Sequence, residues 1–211
     1  MKCDSEKLLG YLRSEIVLQD CYRLRRFKDL DLIVDIGANV GVFSRYARSR
    51  FPDARIIAFE PCPSTYAMLV ENLEGYRVET HQVALGDGSP VGFRIARTSG
   101  SNQSFSEARG TPSASLEGLL DLAHAALGSR AFVKVDCEGA ERYLTDHMST
   151  SLLQFTQGFG MEYHLKAQGS AFPDAFTAQE FQHWVKELRM GFMNVEYQRV
   201  TKDRGNLWGI R

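Results

Sequence analysis

The sequence predicts a doubly wound α/β fold with a mostly parallel, seven-stranded sheet that includes an antiparallel strand from a C-terminal hairpin. Five short apolar runs alternate with segments that carry apolar residues at helical spacing, which favours parallel strands joined by right-handed crossovers. The first run enters a glycine-containing turn, and residues 193–211 hold two strand-like runs around a second turn. With 211 residues, the chain is long enough for one such domain.

The apolar run Leu32–Ile36 predicts a central strand, because continuous apolar residues suit a parallel strand that is covered on both faces. Gly37 follows this strand and permits a backbone conformation that is closed to other residues. Gly41 allows the next helix to pack closely. A turn of this kind leaves free amides at the helix start, where a small ligand can bind.

Three residues around this turn indicate the kind of ligand. A dinucleotide fingerprint needs glycine at the second position of G-x-G-x-x-G, but this chain has Asn39 there. Asp35 suits a cationic ligand, and Glu60 lies about 20 residues beyond the turn, where an acid binds ribose hydroxyls. A positively charged nucleoside without phosphate fits, and S-adenosylmethionine is the obvious one. The alternatives are an NAD-dependent oxidoreductase, which Asn39 argues against, a non-catalytic nucleoside-binding protein, and a turn that binds nothing.

The first 30 residues form a separate helical segment in this prediction, and residues 31–211 form the sheet-containing domain. Residues 5–27 carry an apolar stripe at helical spacing, which includes Leu8, Leu12 and Ile16. This helix either caps the substrate side of the ligand site or packs on the flank of the sheet.

The remaining elements follow from apolar runs, glycine and proline positions, and capping residues. Thr177 and Glu180 form a capping box that predicts the start of the last helix. Two long polar segments, residues 98–115 and 165–176, are of a length that is usually functional or disordered. The other predicted strands cover residues 55–60, 77–85, 92–96 (an edge strand), 131–135 and 159–163, and the other predicted helices cover residues 40–51, 63–73, 116–127 and 140–153.

Composition and charge exclude several classes of function. The formal net charge is -1, from 25 Lys and Arg against 26 Asp and Glu, so there is no electrostatic case for nucleic acid or a membrane surface. No apolar run approaches the length of a transmembrane span, and the N-terminus has no signal-like apolar core. The four cysteines lack disulfide or zinc spacing and indicate free thiols in a reducing compartment. We therefore expect a cytoplasmic protein.

Five motifs together resemble one known family. They are Val34-Asp35-Ile36-Gly37-Ala38-Asn39-Val40-Gly41, Phe59-Glu60-Pro61, Ala84-Leu85-Gly86-Asp87, Lys134-Val135-Asp136-Cys137-Glu138-Gly139-Ala140-Glu141 and Glu162-Tyr163-His164. In this order and at these spacings they resemble the FkbM family of S-adenosylmethionine-dependent methyltransferases. The resemblance implies the class I methyltransferase fold, a variant of the Rossmann-like sheet with an antiparallel C-terminal hairpin strand. It also implies O-methylation of a hydroxyl on a sugar or another natural-product acceptor.

The resemblance also implies roles for individual residues. Asp35, Gly37, Asn39 and Gly41 would hold the methionine end of the cofactor, and Glu60 would bind the ribose hydroxyls. Ala84 and Leu85 would flank the adenine, with Asp87 beside them. Asp136 would face the crevice in which the methyl group is transferred.

A hydroxyl acceptor benefits from a general base within hydrogen-bond reach. Glu162 and His164 lie two apart on the fifth strand, so they point to the same face, and Asp136 ends the neighbouring strand. Our hypothesis is that His164 or Asp136 takes the proton and that Glu162 belongs to the same catalytic group. Lys134 is expected to be structural, with Asp136 or Glu162 as its partner, because a buried ammonium needs one.

Several alternatives stay open at this stage. Glu138 and Glu141 either stabilise a helix start through its dipole or take part in chemistry. A divalent metal ion held by Asp136, Glu138, Glu162 and His164 is a less favoured option, and our prediction contains no metal site. The acceptor is a small molecule, a glycan or a carrier-bound group, and its atom is oxygen, with nitrogen of a small molecule or peptide as the alternative. A homodimer is one way to complete the pocket.

Overall fold

The computed structural model describes residues 1–3, 5–94, 103–106, 110–166 and 175–211. The strands, in chain order, are β1 Leu32–Ile36, β2 Arg55–Phe59, β3 Val78–His81, β4 Ala84–Leu85, β5 Val91–Arg94, β6 Gln103–Ser106, β7 Ser113–Ala114, β8 Ala131–Val135, β9 Gly158–His164, β10 Asn194–Arg199 and β11 Arg204–Ile210. The α-helices are α1 Glu6–Arg13, α2 Val42–Arg50, α3 Pro63–Leu73, α4 Leu116–Leu122, α5 His147–Gln154 and α6 Ala178–Gly191.

Seven of these strands form the main sheet in the order β10-β11-β9-β8-β1-β2-β3. Strand β1 is central and runs parallel to β2 and β8, whereas β11 runs antiparallel to both β9 and β10. This confirms the predicted α/β fold with its antiparallel hairpin strand. The register places Ile36 beside Phe59 and Val135, so β1, β2 and β8 end level with one another. Ligands of doubly wound sheets bind at this edge.

The two faces of the sheet are covered by different elements. Ile33 belongs to an apolar cluster with α2 and the N-terminal segment, whereas Val34 belongs to the cluster that includes α4, α5 and α6. Such alternation follows from the two-residue period of a strand. Helix α3 packs Leu69 and Leu73 against Ala38 beside the glycine turn.

The prediction of one helix across residues 5–27 was wrong. Helix α1 ends at Arg13 and is followed by a π-helical turn, Ser14–Leu18, and a short 3-10 turn, Leu24–Arg26. Asp20 and Arg23 have positive φ angles of 52° and 59°, and such backbone cannot continue a right-handed helix. The later part of the segment buries Ile16, Tyr22 and Phe27 on the flank of the sheet.

Three further predictions of secondary structure need correction. The predicted third strand is divided into β3, in the main sheet, and β4, which pairs with β7. Strand β5 pairs with β6 in a separate hairpin instead of forming an edge of the main sheet, and the last two residues of that predicted strand, 95 and 96, lie outside the described residues. After Gly139, whose φ is +107°, the chain forms a 3-10 turn, Ala140–Thr145, before α5 begins.

The two long polar segments are described only in part, since residues 95–102, 107–109 and 167–174 lie outside the described residues. The capping box of α6 is present, with Thr177 and Glu180 bonding each other's backbone N–H. In the described part of the chain, none of the helices combines the length and apolar character that a bilayer crossing requires.

Candidate active site

A cavity opens at the carboxyl ends of β1, β2, β8 and β9, with an open volume of about 910 Å³ including its mouth. The N-terminal segment forms one wall. The described residues that line it are Leu8, Tyr11, Leu12, Glu15, Ile36, Gly37, Asn39, Glu60, Pro61, Cys62, Val83, Ala84, Leu85, Asp136, Cys137, Glu138, Ala140, Glu162 and Arg204. Five of these are acids and one, Arg204, is basic, so the cavity is suited to a ligand with positive charge.

The glycine turn at the end of β1 is clamped between the two neighbouring strands. The N–H groups of Gly37 and Ala38 both donate to the Phe59 carbonyl at 2.9 Å. Gly37 has a φ of +76°, and a Cβ atom there would lie 1.8 Å from the Asp136 carbonyl oxygen. Only glycine therefore fits this position, for steric reasons as well as conformational ones.

Glu60 is held in place by backbone N–H groups from both sides of the cavity. Its Oε2 accepts from Asn39 N–H and its Oε1 from Cys62 N–H, each at 2.9 Å. Each carboxylate oxygen has a second lone pair, so Glu60 can still accept bonds from ligand hydroxyls. Burial raises its pKa to about 7, although the two N–H groups act in the opposite direction.

Asp35 does not line the cavity. It is completely buried, with Oδ2 accepting from Ser44 Oγ at 2.6 Å and Oδ1 lying 3.1 Å from Lys134 Nζ. The expected partner of Lys134 was Asp136 or Glu162, whereas the structure pairs Lys134 with Asp35, because the two residues are opposite each other in the β1–β8 register.

Lys134 also supports the glycine turn. Its ammonium donates to the carbonyl oxygens of Gly37 at 2.6 Å and Ile36 at 3.3 Å, in addition to its ion pair with Asp35. Burial alone would lower the pKa of Lys134, but Asp35 and then Asp136 raise it above its usual value. Lys134 therefore stays charged and fixes the backbone beneath the cavity.

Asp136 brings a carboxylate to the middle of the cavity. Its Oδ2 accepts a hydrogen bond of 2.8 Å from the hydroxyl of Tyr22, a residue of the N-terminal segment. Its Oδ1 is buried and has no hydrogen-bond partner among the described residues. The bond from Tyr22 uses one lone pair of Oδ2, so the carboxylate keeps further acceptor capacity.

His164 lies behind the cavity wall and is completely buried. Its Nδ1 is 3.3 Å from both carboxylate oxygens of Glu141, which also accept bonds from Cys137 N–H and Gly139 N–H. Glu141 therefore closes the turn after β8, which is a structural task. Its contacts leave it no path to the cavity, whereas Glu138 lines the cavity with a φ of +52°.

The carboxylates around His164 shift each other's proton affinity. His164 Nε2 is 3.7 Å from Glu138 and 3.6 Å from Glu162. Burial alone would lower the pKa of His164, but Glu141, Glu138 and Glu162 raise it to about 10. Burial and the nearby Asp136 charge raise the pKa of Glu162 to about 8, and the same two causes raise that of Glu138 well above its usual value.

Arg204 joins the far end of the cavity to the N-terminal helix. Its guanidinium is 3.2 Å from Glu162 Oε1 and donates to Tyr11 Oη at 3.4 Å. Tyr11 in turn donates to Glu15. Arg204 falls within the predicted turn of the C-terminal hairpin, whereas the structure places it at the start of β11. For Tyr11 the only available signal was the apolar stripe of the N-terminal helix.

The structure therefore brings most, but not all, of the candidate residues to one cavity. Gly37, Asn39, Glu60, Ala84, Leu85, Asp136 and Glu162 line it. Asp35, Gly41 and His164 do not: Asp35 and His164 are buried behind it, and Gly41 faces Leu69 and Leu73 of α3. Asp87 is in a different depression, beside α6. Within the described ranges, no three His, Cys, Asp or Glu side chains are grouped so as to hold a metal ion.

Comparison with known proteins identifies a family. The sequence profile described as the methyltransferase FkbM domain matches residues 35–144, about half of the chain. Methyltransferase 1 of Beauveria bassiana is 37% identical over 79 residues, covering 36% of this chain and 32% of its own length. The 31-O-demethyl-FK506 methyltransferase FkbM of Streptomyces tacrolimicus is 36% identical over 86 residues, covering 38% of this chain and 33% of its own. The matched region is thus about a third of these relatives.

Solved structures resemble the chain in fold. The METTL16 methyltransferase domain aligns with a TM-score of 0.51 at 13% identity, covering 96% of this chain and 66% of that domain. A fibrillarin/Nop5p complex gives a TM-score of 0.51 at 11% identity, covering 86% of this chain and 72% of that one. At such identities the likeness shows that the sheet and its helices share one arrangement.

Proposed function

This chain belongs to the family of FkbM methyltransferase domains, and from that premise we propose that it transfers the methyl group of S-adenosylmethionine to an acceptor hydroxyl. The acceptor is a sugar or another natural product. The observation that carries the proposal is the cavity itself, which joins the Glu60 carboxylate and the glycine turn to the carboxylates of Asp136 and Glu162. The name of the Streptomyces tacrolimicus relative refers to an oxygen position, which supports an oxygen acceptor.

The residues present fit this cofactor. Glu60 keeps acceptor capacity for ribose hydroxyls while both of its oxygens are held by backbone N–H groups. Gly37 keeps the turn free of a side chain, and Ala84 and Leu85 offer apolar surface for the adenine. When bound, S-adenosylmethionine supplies a methyl group attached to positively charged sulfur, and Asp136 and Asn39 are the polar groups nearest the turn that can orient it. Asp35 and Gly41 act indirectly, by fixing Lys134 and by allowing α3 to pack.

Asp136 is the proton acceptor that this geometry favours. It lines the cavity, and the bond from Tyr22 uses only one lone pair of its carboxylate, so a hydroxyl hydrogen-bonded to that carboxylate could pass its proton to it. His164 is completely buried, and its pKa of about 10 keeps it protonated at neutral pH. We therefore assign His164 to positioning the turn after β8 through Glu141. Glu162, which Arg204 holds at 3.2 Å, orients the acceptor.

The excess of carboxylates favours one alternative, methyl transfer to the nitrogen of an amine-bearing molecule or peptide. Glu15, Asp136, Glu138 and Glu162 are all at the acceptor end, and Arg204 is the basic residue among the cavity-lining groups. A cationic amine would be attracted to this end, but it would have to lose its proton before it could act as a nucleophile. A neutral hydroxyl already has a lone pair and can lose its proton to Asp136 during the transfer itself, so we rank oxygen first.

The first experiment measures ligand binding by calorimetry, with S-adenosylhomocysteine and NAD as separate probes. Heat with the first and none with the second supports the cofactor assignment. No heat with S-adenosylhomocysteine contradicts it.

The second experiment follows label from methyl-labelled S-adenosylmethionine into panels of hydroxylated and amine-bearing acceptors. Asp136→Asn should lower transfer by about 10²–10⁴-fold while leaving S-adenosylhomocysteine affinity nearly unchanged. Asp121→Asn, at an exposed position on α4, is the matched control and should transfer like the unaltered protein. Near-normal transfer by Asp136→Asn would remove Asp136 as the base, and label in amines alone would favour the nitrogen alternative.

A further inference from the structure

We propose that Tyr22 is a positioning residue that orients the Asp136 carboxylate for proton transfer. This inference deepens the proposed function and rests on it. Tyr22 lies outside residues 35–144, the region that matches the family profile, and no motif in the sequence includes it. The N-terminal segment therefore contributes to the reaction from outside the region matched by the family.

The hydrogen bond from Tyr22 fixes the orientation of the Asp136 carboxylate. The Tyr22 hydroxyl donates to Oδ2 at 2.8 Å, and Oδ1 is buried without a partner among the described residues. A carboxylate anchored at one oxygen cannot rotate freely about its terminal bond. The acceptor hydroxyl therefore meets a carboxylate of fixed orientation, which reduces the entropy that must be lost in the transition state.

The position of Tyr22 is fixed by packing on several elements. Its ring meets Phe43 of α2 edge-on, with centroids 5.5 Å apart. A Cβ atom at Gly160 of β9 would lie 2.5 Å from the Tyr22 carbonyl oxygen, so the two backbones are in close contact. Beside Tyr22, the Cys21 carbonyl accepts a bond of 2.6 Å from Trp208 of β11. Tyr22 is only 5% exposed, and this environment holds the hydroxyl to one direction.

The charged groups around this pair come from several elements. Lys134 of β8, Glu138 of the turn that follows and Glu162 of β9 interact with Asp136, whereas Arg204 of β11 and Glu15 of the N-terminal segment act on Glu162. Burial, the Asp136 charge and weaker contributions from Cys21 and Glu162 raise the pKa of Tyr22 well above its usual value. Tyr22 therefore remains a hydrogen-bond donor throughout the working pH range.

The test uses Tyr22→Phe, which keeps the ring and removes only the hydroxyl. Tyr46→Phe is the matched control, because the Tyr46 hydroxyl contacts the same N-terminal segment, through Arg25 at 3.1 Å, but not Asp136. The carboxyl carbon of Asp136 is followed by NMR in protein with carbon-13-labelled aspartate, and its signal is assigned by its loss in Asp136→Asn. Methyl transfer and S-adenosylhomocysteine affinity are measured in the same variants.

We expect the Asp136 carboxyl signal of Tyr22→Phe to differ in chemical shift from that of the unaltered protein at the same neutral pH, because the hydrogen bond to Oδ2 is lost. We also expect kcat to fall about tenfold or more, with less than about a threefold change in S-adenosylhomocysteine affinity. Tyr46→Phe should match the unaltered protein in all three measurements. An unmoved Asp136 signal in Tyr22→Phe overturns the inference, and so does a moved signal with unchanged kcat. Failure of the unaltered protein to bind S-adenosylhomocysteine would instead overturn the proposed function.

Discussion

The two ends of the cavity are built in different ways. At the glycine-turn end, backbone groups hold the site in place. Two backbone N–H groups donate to Glu60, and Gly37 fits closely against the backbone at the end of β8. At the acid end, side chains hold one another, through Tyr22 and Asp136, Arg204 and Glu162, and the carboxylates around His164.

The two ends also differ in the sequence distance that they bridge. The Asn39–Glu60 bond joins residues 21 positions apart, whereas the Arg204–Tyr11 bond joins residues 193 apart. An end held by backbone is in place once β1 has paired with β2 and β8. An end held by distant side chains depends on the whole fold and on the charge state of its groups. The four changes described next test this difference.

The largest effect is expected for Gly37→Ala. The added Cβ would lie 1.8 Å from the Asp136 carbonyl, so the turn and β8 must separate, and we expect loss of S-adenosylhomocysteine binding and of several kcal/mol of stability, or no soluble folded protein. Gly75→Ala is the control, because Gly75 has a similar φ of +78° with no atom within 4 Å of the added Cβ. It should cost only about 1 kcal/mol. Equal midpoint temperatures of thermal unfolding in the two variants would show that steric contact with β8 does not require glycine at position 37.

Lys134→Met should have the second largest effect, because it leaves Asp35 buried without its counter-charge. We expect a loss of about 3–5 kcal/mol in the free energy of unfolding by urea. Adding Asp35→Asn should recover part of this loss. The control Arg130→Met removes a pair with Asp29 whose side chains are 50% and 71% exposed, and it should cost less than about 1 kcal/mol. Similar losses from both changes would contradict the structural role of Lys134.

Glu60→Gln tests how the charge of Glu60, at the glycine-turn end, makes the free energy of unfolding depend on pH. The folded-state pKa of about 7 exceeds the ordinary 4.5, so the folded chain retains this proton longer than the unfolded chain. The free energy of unfolding therefore falls as pH rises from 4.5 to 7, by about 3 kcal/mol for this group. Glu60→Gln should flatten that part of the profile in protein without cofactor.

The control for this change is Glu117→Gln, on the exposed face of α4, which should keep the slope of the unaltered protein. Urea unfolding at half-unit steps from pH 4.5 to 8 provides the measurement. An unchanged slope in Glu60→Gln would mean that Glu60 is already ionised at pH 4.5 in the folded chain.

Tyr11→Phe should have the smallest effect, because Tyr11 is 45% exposed and its bond to Arg204 is long, at 3.4 Å. We expect a loss of less than about 1 kcal/mol in the free energy of unfolding and a loss of less than about threefold in S-adenosylhomocysteine affinity. Tyr197→Phe is the control, because it removes the hydroxyl of a tyrosine with a similar exposed fraction, 42%. A loss of affinity above about tenfold for Tyr11→Phe alone would show that α1 closes the cavity more firmly than its contacts suggest.

Patterns short in sequence predicted the fold and the glycine-turn end. The apolar run Leu32–Ile36, Gly37 and the Thr177–Glu180 capping box each specify structure within a few residues, because backbone preference and burial act locally. The N-terminal helix was predicted too long, because apolar spacing does not show where a positive φ interrupts a helix, as it does at Asp20 and Arg23.

By itself, the sequence determined the alternation of strands and helices, the side-chain-free turn after β1 and the set of acids at the strand ends. Only the tertiary structure decided which of these acids meet a ligand. The β1–β8 register turned Asp35 toward Lys134, the turn after β8 buried His164 behind Glu141, and the packing of the N-terminal segment brought Tyr22 to Asp136. Local patterns fix the conformation of a few residues, whereas the partner of a buried charge is set by which distant elements pack together.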